Sequence, residues 1–336
     1  MAAQQARGGA IEHRIGTNGL FAIATSSGGI DLHGGDGEAV RISTVDPDDA
    51  PLLDRFEVEA GEGVLRVRSP RGVFLGLDVL GRRFGWGGGV GELDLVVEMP
   101  RSARLELATV SGDVHVAGLR GQQRYKSVSG DLELEDVAGP IEVDATSGDV
   151  SLQAAAPVAL RLRTVSGDVS AKAPLIRRLD ATTMSGDIRV EGAFEAGQEH
   201  SVETVSGDTR LVTASGLTIE ARTVSGGISS DTPHRTGGAP GRRAIILGDG
   251  KAHLGFRSLS GDLQILGRGA ATAMPQGAAW RGAIKPPESA RLPAPPTPPD
   301  PHEAARLEIF RALGAGEIDV AEASERLARL DDEVLP

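Results

Sequence analysis

From Arg104 to Leu266 apolar and polar side chains alternate in short runs, the two-residue period of half-buried β strands. Leu105 and Leu107, Ile141 and Val143, Leu160 and Leu162, Ile219 and Ala221, and Leu254 and Phe256 stand six and four residues ahead of a serine that opens the next feature. A small residue stands two ahead of it: Thr109, Ser127, Ala145, Thr164, Thr183, Thr204, Thr223 and Ser258. The parity then breaks at Val110, Val128, Thr146, Val165, Met184, Val205, Val224 and Leu259. It resumes downstream on pairs such as Val114 and Val116, Leu132 and Leu134, Val150 and Leu152, Ile188 and Val190, and Leu263 and Ile265. Each unit therefore predicts strand, tight corner, strand.

The corner is the tripeptide Ser-Gly-Asp, beginning at Ser111, Ser129, Ser147, Ser166, Ser185, Ser206 and Ser260, with a degenerate copy at Ser225-Gly226-Gly227. Successive starts are 18, 18, 19, 19, 21, 19 and 35 residues apart. A period this short means a solenoid, because one unit cannot bury its apolar face alone and a stack shares one core. Gly suits the strained backbone of a corner, and Ser and Asp can bond to nearby backbone N–H groups. The expected fold is all-β: a single-stranded parallel β-solenoid, β-helix-like, with an N-terminal antiparallel β cap and a small C-terminal α-hairpin.

The rest of the chain divides around that array. Residues 1–10 read as a disordered N-terminus and 11–100 as the antiparallel cap, in which Thr25-Ser26-Ser27-Gly28-Gly29-Ile30-Asp31-Leu32 resembles a worn repeat. Within the cap, 71–91 sets Phe74, Leu77, Phe84 and Trp86 beside a run of glycines, which reads either as a hairpin folded onto the cap or as a hydrophobic partner-binding loop. The solenoid is expected over 101–267. Its longest interval holds a surface loop at 231–243 and a hairpin over 244–254 turning at Gly248-Asp249-Gly250, which together close the open end of the stack. Residues 268–300, with three Pro-Pro pairs, read as a semi-rigid linker. Residues 301–336 predict a helical hairpin: Asp300-Pro301-His302-Glu303 is a helix start, and Leu307, Phe310, Leu313, Ile318, Leu327 and Leu330 supply its apolar positions. So small a unit is expected to dock or self-associate.

Composition narrows the classes. Aromatic residues are 3% of the chain, as expected for columns of Val, Leu and Ile, and the absence of cysteine removes disulfides, Cys-based zinc sites and thiol nucleophiles. A formal charge of −12 disfavours nucleic acid as partner and predicts a long, largely acidic surface. No run approaches a membrane span, and Met1–Ala10 lacks a basic start leading into an apolar run, so the expected location is cytoplasmic, with peripheral association to the envelope left open.

The strings Thr109 to Asp113, Thr164 to Asp168 and Thr204 to Asp208, each Thr-Val-Ser-Gly-Asp ahead of a strand, resemble the bacterial putative-adhesin family of β-strand-repeat proteins over about residues 15–267. That family is defined by its shape more than by a reaction, and the resemblance implies an interaction or scaffold role, in some relatives linked to envelope stress. Leu313-Gly314-Ala315-Gly316-Glu317-Ile318-Asp319, with Glu322-Ala323 and Leu327, is similar to the short helical-hairpin (SHOCT-like) domains that end many bacterial proteins, which implies oligomerisation or contact with a protein partner.

Candidate chemistry rests on the aligned aspartates Asp113, Asp131, Asp149, Asp168, Asp187, Asp208 and Asp262. Stacked at about 4.8 Å, neighbouring carboxylates in water repel by roughly 0.9 kcal/mol per pair, which backbone hydrogen bonds can offset. Calcium needs six to eight oxygens, more than one Asp and one Ser per rung supply. A catalytic pair needs two differently tuned carboxylates, whereas these are one residue in one context. The aspartates therefore read as a structural turn ladder, with cation or ligand contact as the lesser reading. The seven histidines show no metal-binding spacing, and most read as surface or loop residues. The sequence points to a protein that is not an enzyme, with no cofactor, no metal and no catalytic residue; the second reading is a carbohydrate-binding or carbohydrate-cleaving β-helix, a glycan ligand having no motif in its support.

Overall fold

A computed structural model of the chain describes residues 10–69, 93–237 and 243–267, together with strand backbone at 5–6, 78–79 and 82–83. The chain divides into two compact units, Met1–Ala271 and Thr272–Pro336, and every described residue belongs to the first. Phe74, Leu77, Phe84 and Trp86 of the expected loop, the linker at 268–300, and the hairpin positions Leu307, Phe310, Leu313, Ile318, Leu327 and Leu330 lie outside the described residues.

The alternating pattern becomes rungs. In each, a leading strand runs into the corner and a trailing strand leaves it: Arg104–Ser111 and then Val114–Ala117 form one rung, and Gln123–Ser129 opens the next. Leading strands pair in parallel with leading strands and trailing with trailing, so Leu107 lies opposite Tyr125, Val143 opposite Leu162, and Val114 opposite Leu132. Inward positions of both faces meet in one core, in which Leu105, Leu134, Val190, Val202, Phe256 and Ile265 are fully buried. Three long strands, Leu132–Ala145, Val150–Ser166 and Val169–Ser185, carry trailing face into the next leading face without a break in strand conformation.

The order of rungs in the stack departs from the order in the chain at both ends. The 20–35 rung pairs on one side with 104–117 and on the other with a rung made of Val64–Arg68 and Leu95–Pro100, so the second rung in sequence is the outermost in space. The same exchange closes the far end. The last rung, 252–267, inserts between 199–213 and 217–230, pairing in parallel with each. Within the expected antiparallel cap at 11–100, residues 20–35, 64–68 and 95–100 are thus solenoid. Its antiparallel part is Ala10–Arg14 and Ala39–Thr44, laid against Leu95–Pro100, and Glu57–Gly61, laid against Val64–Arg68. Gln5–Ala6 pairs with Ala10 and Ile11, so the expected disordered N-terminus contains a strand.

The expected hairpin over 244–254 is also corrected. Arg243–Leu247 and Ala252–Ser260 flank Leu217–Ser225 on opposite sides, antiparallel and parallel respectively, and do not pair with each other. The hairpin lies earlier, between His234–Gly237 and Arg243–Leu247, and extends the sheet of leading strands at its edge. The turn at Gly248–Gly250 instead passes over the edge of the Leu217–Ser225 strand, where Thr218 Oγ1 donates to the Gly250 carbonyl at 2.9 Å.

Candidate functional site

The corner is built from three columns. In the glycine column φ runs from +107° at Gly148 to +143° at Gly112 over Gly112, Gly130, Gly148, Gly167, Gly186 and Gly207, a region L side chains avoid, while Gly261 at the last corner lies outside it. Each glycine also abuts the one beneath it: a methyl at Gly148 would lie 2.2 Å from the Gly130 carbonyl oxygen, and one at Gly167 2.1 Å from that of Gly148. Conformation and rung spacing both demand glycine here. The residue before the serine, where strand parity breaks, points outward, leaving Val165 and Val224 exposed.

The aspartate column ties the corners together. Asp131 N–H donates to Asp113 Oδ1 at 2.9 Å, Asp149 to Asp131 at 2.8 Å, and Asp168 to Asp149 at 2.8 Å. Asp187 donates to Asp168 and Asp208 to Asp187, each at 2.8 Å, and Asp262 to Asp208 at 2.9 Å. Gly227 N–H closes the series on Asp262 Oδ1 at 2.6 Å. The bonds follow the spatial order of rungs, stepping from Asp208 to Asp262 and back to Gly227. A further member escapes sequence reading: Asp94 Oδ1 accepts from Gly29 N–H at 2.7 Å, although Asp94 follows Leu93 in place of Ser-Gly. Its only signal was its place just ahead of the alternating strand that starts at Leu95. Every predicted ladder aspartate is therefore in one column, with one oxygen committed to the neighbouring rung.

The two outer faces treat charge differently. On the leading face, one outward column reads Glu106, Arg124, Glu142, Arg161, Asp180 and the next reads Lys126, Asp144, Arg163, with signs alternating rung by rung. Arg124 donates to Glu142 through Nε and Nη2 at 3.0 and 2.7 Å, Arg161 Nε to Asp180 at 3.3 Å, and Arg257 Nη1 to Glu203 at 2.6 Å. Along these columns charges pair across rungs, so the largely acidic surface expected from the net charge gives way here to paired charge.

The trailing face pairs charge at Glu191, 3.4 Å from Lys172 Nζ and 3.9 Å from Arg189 Nη2, but is sorted along one column. Its column beside the aspartates reads Asp31, His115, Glu133, then Ser151 and Ser170, then Arg189 and Arg210. Because the serines are small, a groove of about 590 Å³ opens between Asp149, Asp168, Asp187 and the two arginines. A second hollow, about 480 Å³, lies at the acidic end between Asp31, Asp94, Asp113 and Val45. There His115 Nδ1 lies 2.8 Å and His33 Nε2 3.1 Å from Asp31 Oδ1, and His115 Nε2 is 3.7 Å from Glu135. The hydrogen bond to Asp31 raises the His115 pKa against the opposing effect of burial. Burial pushes the Asp31 carboxyl up, but the bonds and charges of His115 and His33 outweigh it and hold it below its usual value. Among the described residues no group of three or more His, Asp or Glu side chains is arranged to hold a metal ion.

His200 is the exception to the expectation of surface histidines. It occupies a core column between Leu179 and Leu254, is 3% exposed, accepts Leu179 N–H on Nδ1 at 3.1 Å, and meets Phe194 edge-on at 5.0 Å. Burial lowers its pKa below the ordinary 6.5. Below that value the unfolded chain binds a proton that the folded chain refuses, so stability is full above it and falls as pH drops through the interval down to the depressed folded pKa. His200→Phe is expected to lose stability at every pH by orphaning Leu179 N–H, about 1–3 kcal/mol. Its urea midpoint, however, is expected to fall less than the wild-type midpoint on acidification; equal slopes would contradict the assignment.

The family model described as Toastrack DUF4097 matches residues 91–178, which contain the outermost trailing strand and the first rungs of the regular array. No curated protein matches the chain. Among solved structures, a putative adhesin from Bacteroides fragilis is similar at 13% identity, over 76% of this chain and 95% of that one, with a TM-score of 0.40. A putative cell adhesion protein from Clostridium sporogenes is similar at 10% identity, over 77% and 98%, with a TM-score of 0.25. A putative lipid binding protein from Parabacteroides distasonis is similar at 10% identity, over 76% and 95%, with a TM-score of 0.24. No helix among the described residues is long and apolar enough to cross a membrane.

Proposed function

We propose that the chain is a non-enzymatic binding scaffold, a stiff parallel stack whose trailing face docks a protein or surface partner. The observation that carries this reading is the contrast between faces. Several leading-face charges pair across rungs, whereas the trailing-face column beside the aspartates is sorted, acidic at Asp31 and Glu133 and basic at Arg189 and Arg210, with Ser151 and Ser170 between; Glu191 of the next trailing column pairs with Lys172 and Arg189. Sorted charge costs self-repulsion and is relieved by a partner of complementary pattern, which it also orients. The ladder aspartates fit a building role better than a reacting one, since each has Oδ1 bound to the next rung in the same geometry.

In this reading the protein works beside the bacterial envelope, as a scaffold or sensor in envelope stress, and residues 301–336 supply association with itself or a second protein. The carbohydrate reading has less support. Every described Phe and Tyr ring is buried, so none offers a sugar a stacking platform.

The test is a crosslinking pull-down from the native cells with wild-type protein, the Arg189→Glu/Arg210→Glu pair and an Arg124→Ser control. The trailing-face pair is expected to lose the partner that wild type and control both capture. Capture by all three, or loss by the control alone, would overturn the reading.

A further inference from the structure

One place on the leading face breaks its pattern of paired charges. Where other rungs place a charged side chain, consecutive rungs in space carry Ser201 and then Gly255, in register with each other and with Glu220 beyond. The result is a hollow of about 450 Å³ rimmed by Arg178, Glu199, His253 and Arg257. Nothing in the backbone asks for glycine at 255. It sits within the Ala252–Ser260 strand without a positive φ, and an added methyl would touch only the His200 carbonyl oxygen, at an ordinary 3.9 Å. Glycine inside a strand forgoes packing and costs folding entropy, and where no bulge or bend accounts for it, it marks close approach by something else.

The rim states what that something carries. Arg257 is engaged by Glu203, and Asp180 accepts from Ser201 Oγ at 3.2 Å. Arg178 and Glu199 line the same hollow, and neither side chain makes a hydrogen bond or ion pair among the described residues. One cation and one anion thus face this hollow without a partner among the described residues.

We infer that this hollow is a binding site for a small zwitterion of dipeptide size, its carboxylate on Arg178 and its ammonium on Glu199, with its backbone lying over Gly255. The site is separate from the trailing face and stands or falls independently of the partner-binding reading.

Titration of the full chain with L-Ala-L-Ala, followed by NMR and calorimetry, tests it, with N-acetyl-Ala-Ala and Ala-Ala-amide as single-charge controls. Wild type is expected to bind the free dipeptide, with each control and the Arg178→Gln and Gly255→Val proteins weaker by about tenfold or more. Gly255→Val is expected to fold and to melt at or above the wild-type temperature, because the valine enters open space on a strand. No binding of the free dipeptide, equal binding of either control, or undiminished binding by Gly255→Val would each overturn the assignment.

Discussion

Gly148→Ala is expected to lower stability by about 4 kcal/mol, combining a strained φ and a displaced rung of about 1–3 kcal/mol each. The native φ is +107°, and the new methyl would sit 2.2 Å from the Gly130 carbonyl oxygen, which is backbone and cannot swing aside. For a domain of this size the melting temperature is expected to fall by about 10 °C. Gly197→Ala separates the two causes. Its φ is also positive, +74°, but a methyl there meets nothing within 4 Å. It is expected to cost about 1–2 kcal/mol, the left-handed penalty alone. Equal losses at the two positions would mean that rung stacking adds nothing, contrary to the corner geometry.

Ending the chain after Gly248 is expected to be more damaging than any point substitution. It removes the 252–267 rung, which lies inside the stack, between 199–213 and 217–230. Leu254, Phe256, Leu263 and Ile265, each at most 1% exposed, go with it. At about 1.5–3 kcal/mol per buried side chain the loss is about 6–12 kcal/mol, comparable with the entire stability of an ordinary domain. The shortened chain is expected to be insoluble or to melt in separate steps. A chain ended after Gly267 is expected to keep the wild-type transition of the solenoid. A wild-type melt from the shorter chain would show that the neighbouring rungs close up without the last one, and the exchanged order would then be dispensable.

These two results also mark what the sequence could and could not disclose. The corner was legible because its demands are local: a positive φ at six of the corner glycines favours glycine, and a serine-led tripeptide recurring at 18 to 21 residues through most of the array cannot be mistaken. The columns of the core were legible for the same reason, through the period of two. Rung order was not, because each leading strand offers its neighbours the same pattern, and 252–260 pairs as readily with 199–206 as with 217–225. The misplaced hairpin at 244–254 follows from that, since adjacency in the chain was the only guide to pairing. Asp94 was missed because it performs the aspartate's task without the Ser-Gly that announces it elsewhere. His200 was missed because a histidine in an apolar column reads as an interruption until its Nδ1 is seen to accept Leu179 N–H. The sorting of charge on the trailing face was present in the letters, but only the stack shows which residues share a column.

The measurement that bears most directly on the central claim, that the repeated aspartates build the stack and perform no chemistry on its surface, compares Asp168→Asn with Asp168→Ala. Asp168 Oδ1 accepts Asp187 N–H at 2.8 Å, and the Asn carbonyl can take the same bond without the charge. Asn is therefore expected to melt close to wild type, and Ala to lose about 1–3 kcal/mol for the orphaned N–H, with no change in any melting temperature on adding calcium. If Asn loses as much as Ala, or if calcium stabilises wild type and Asn abolishes that gain, the charge itself is what the column is for, and the structural account of the ladder is wrong.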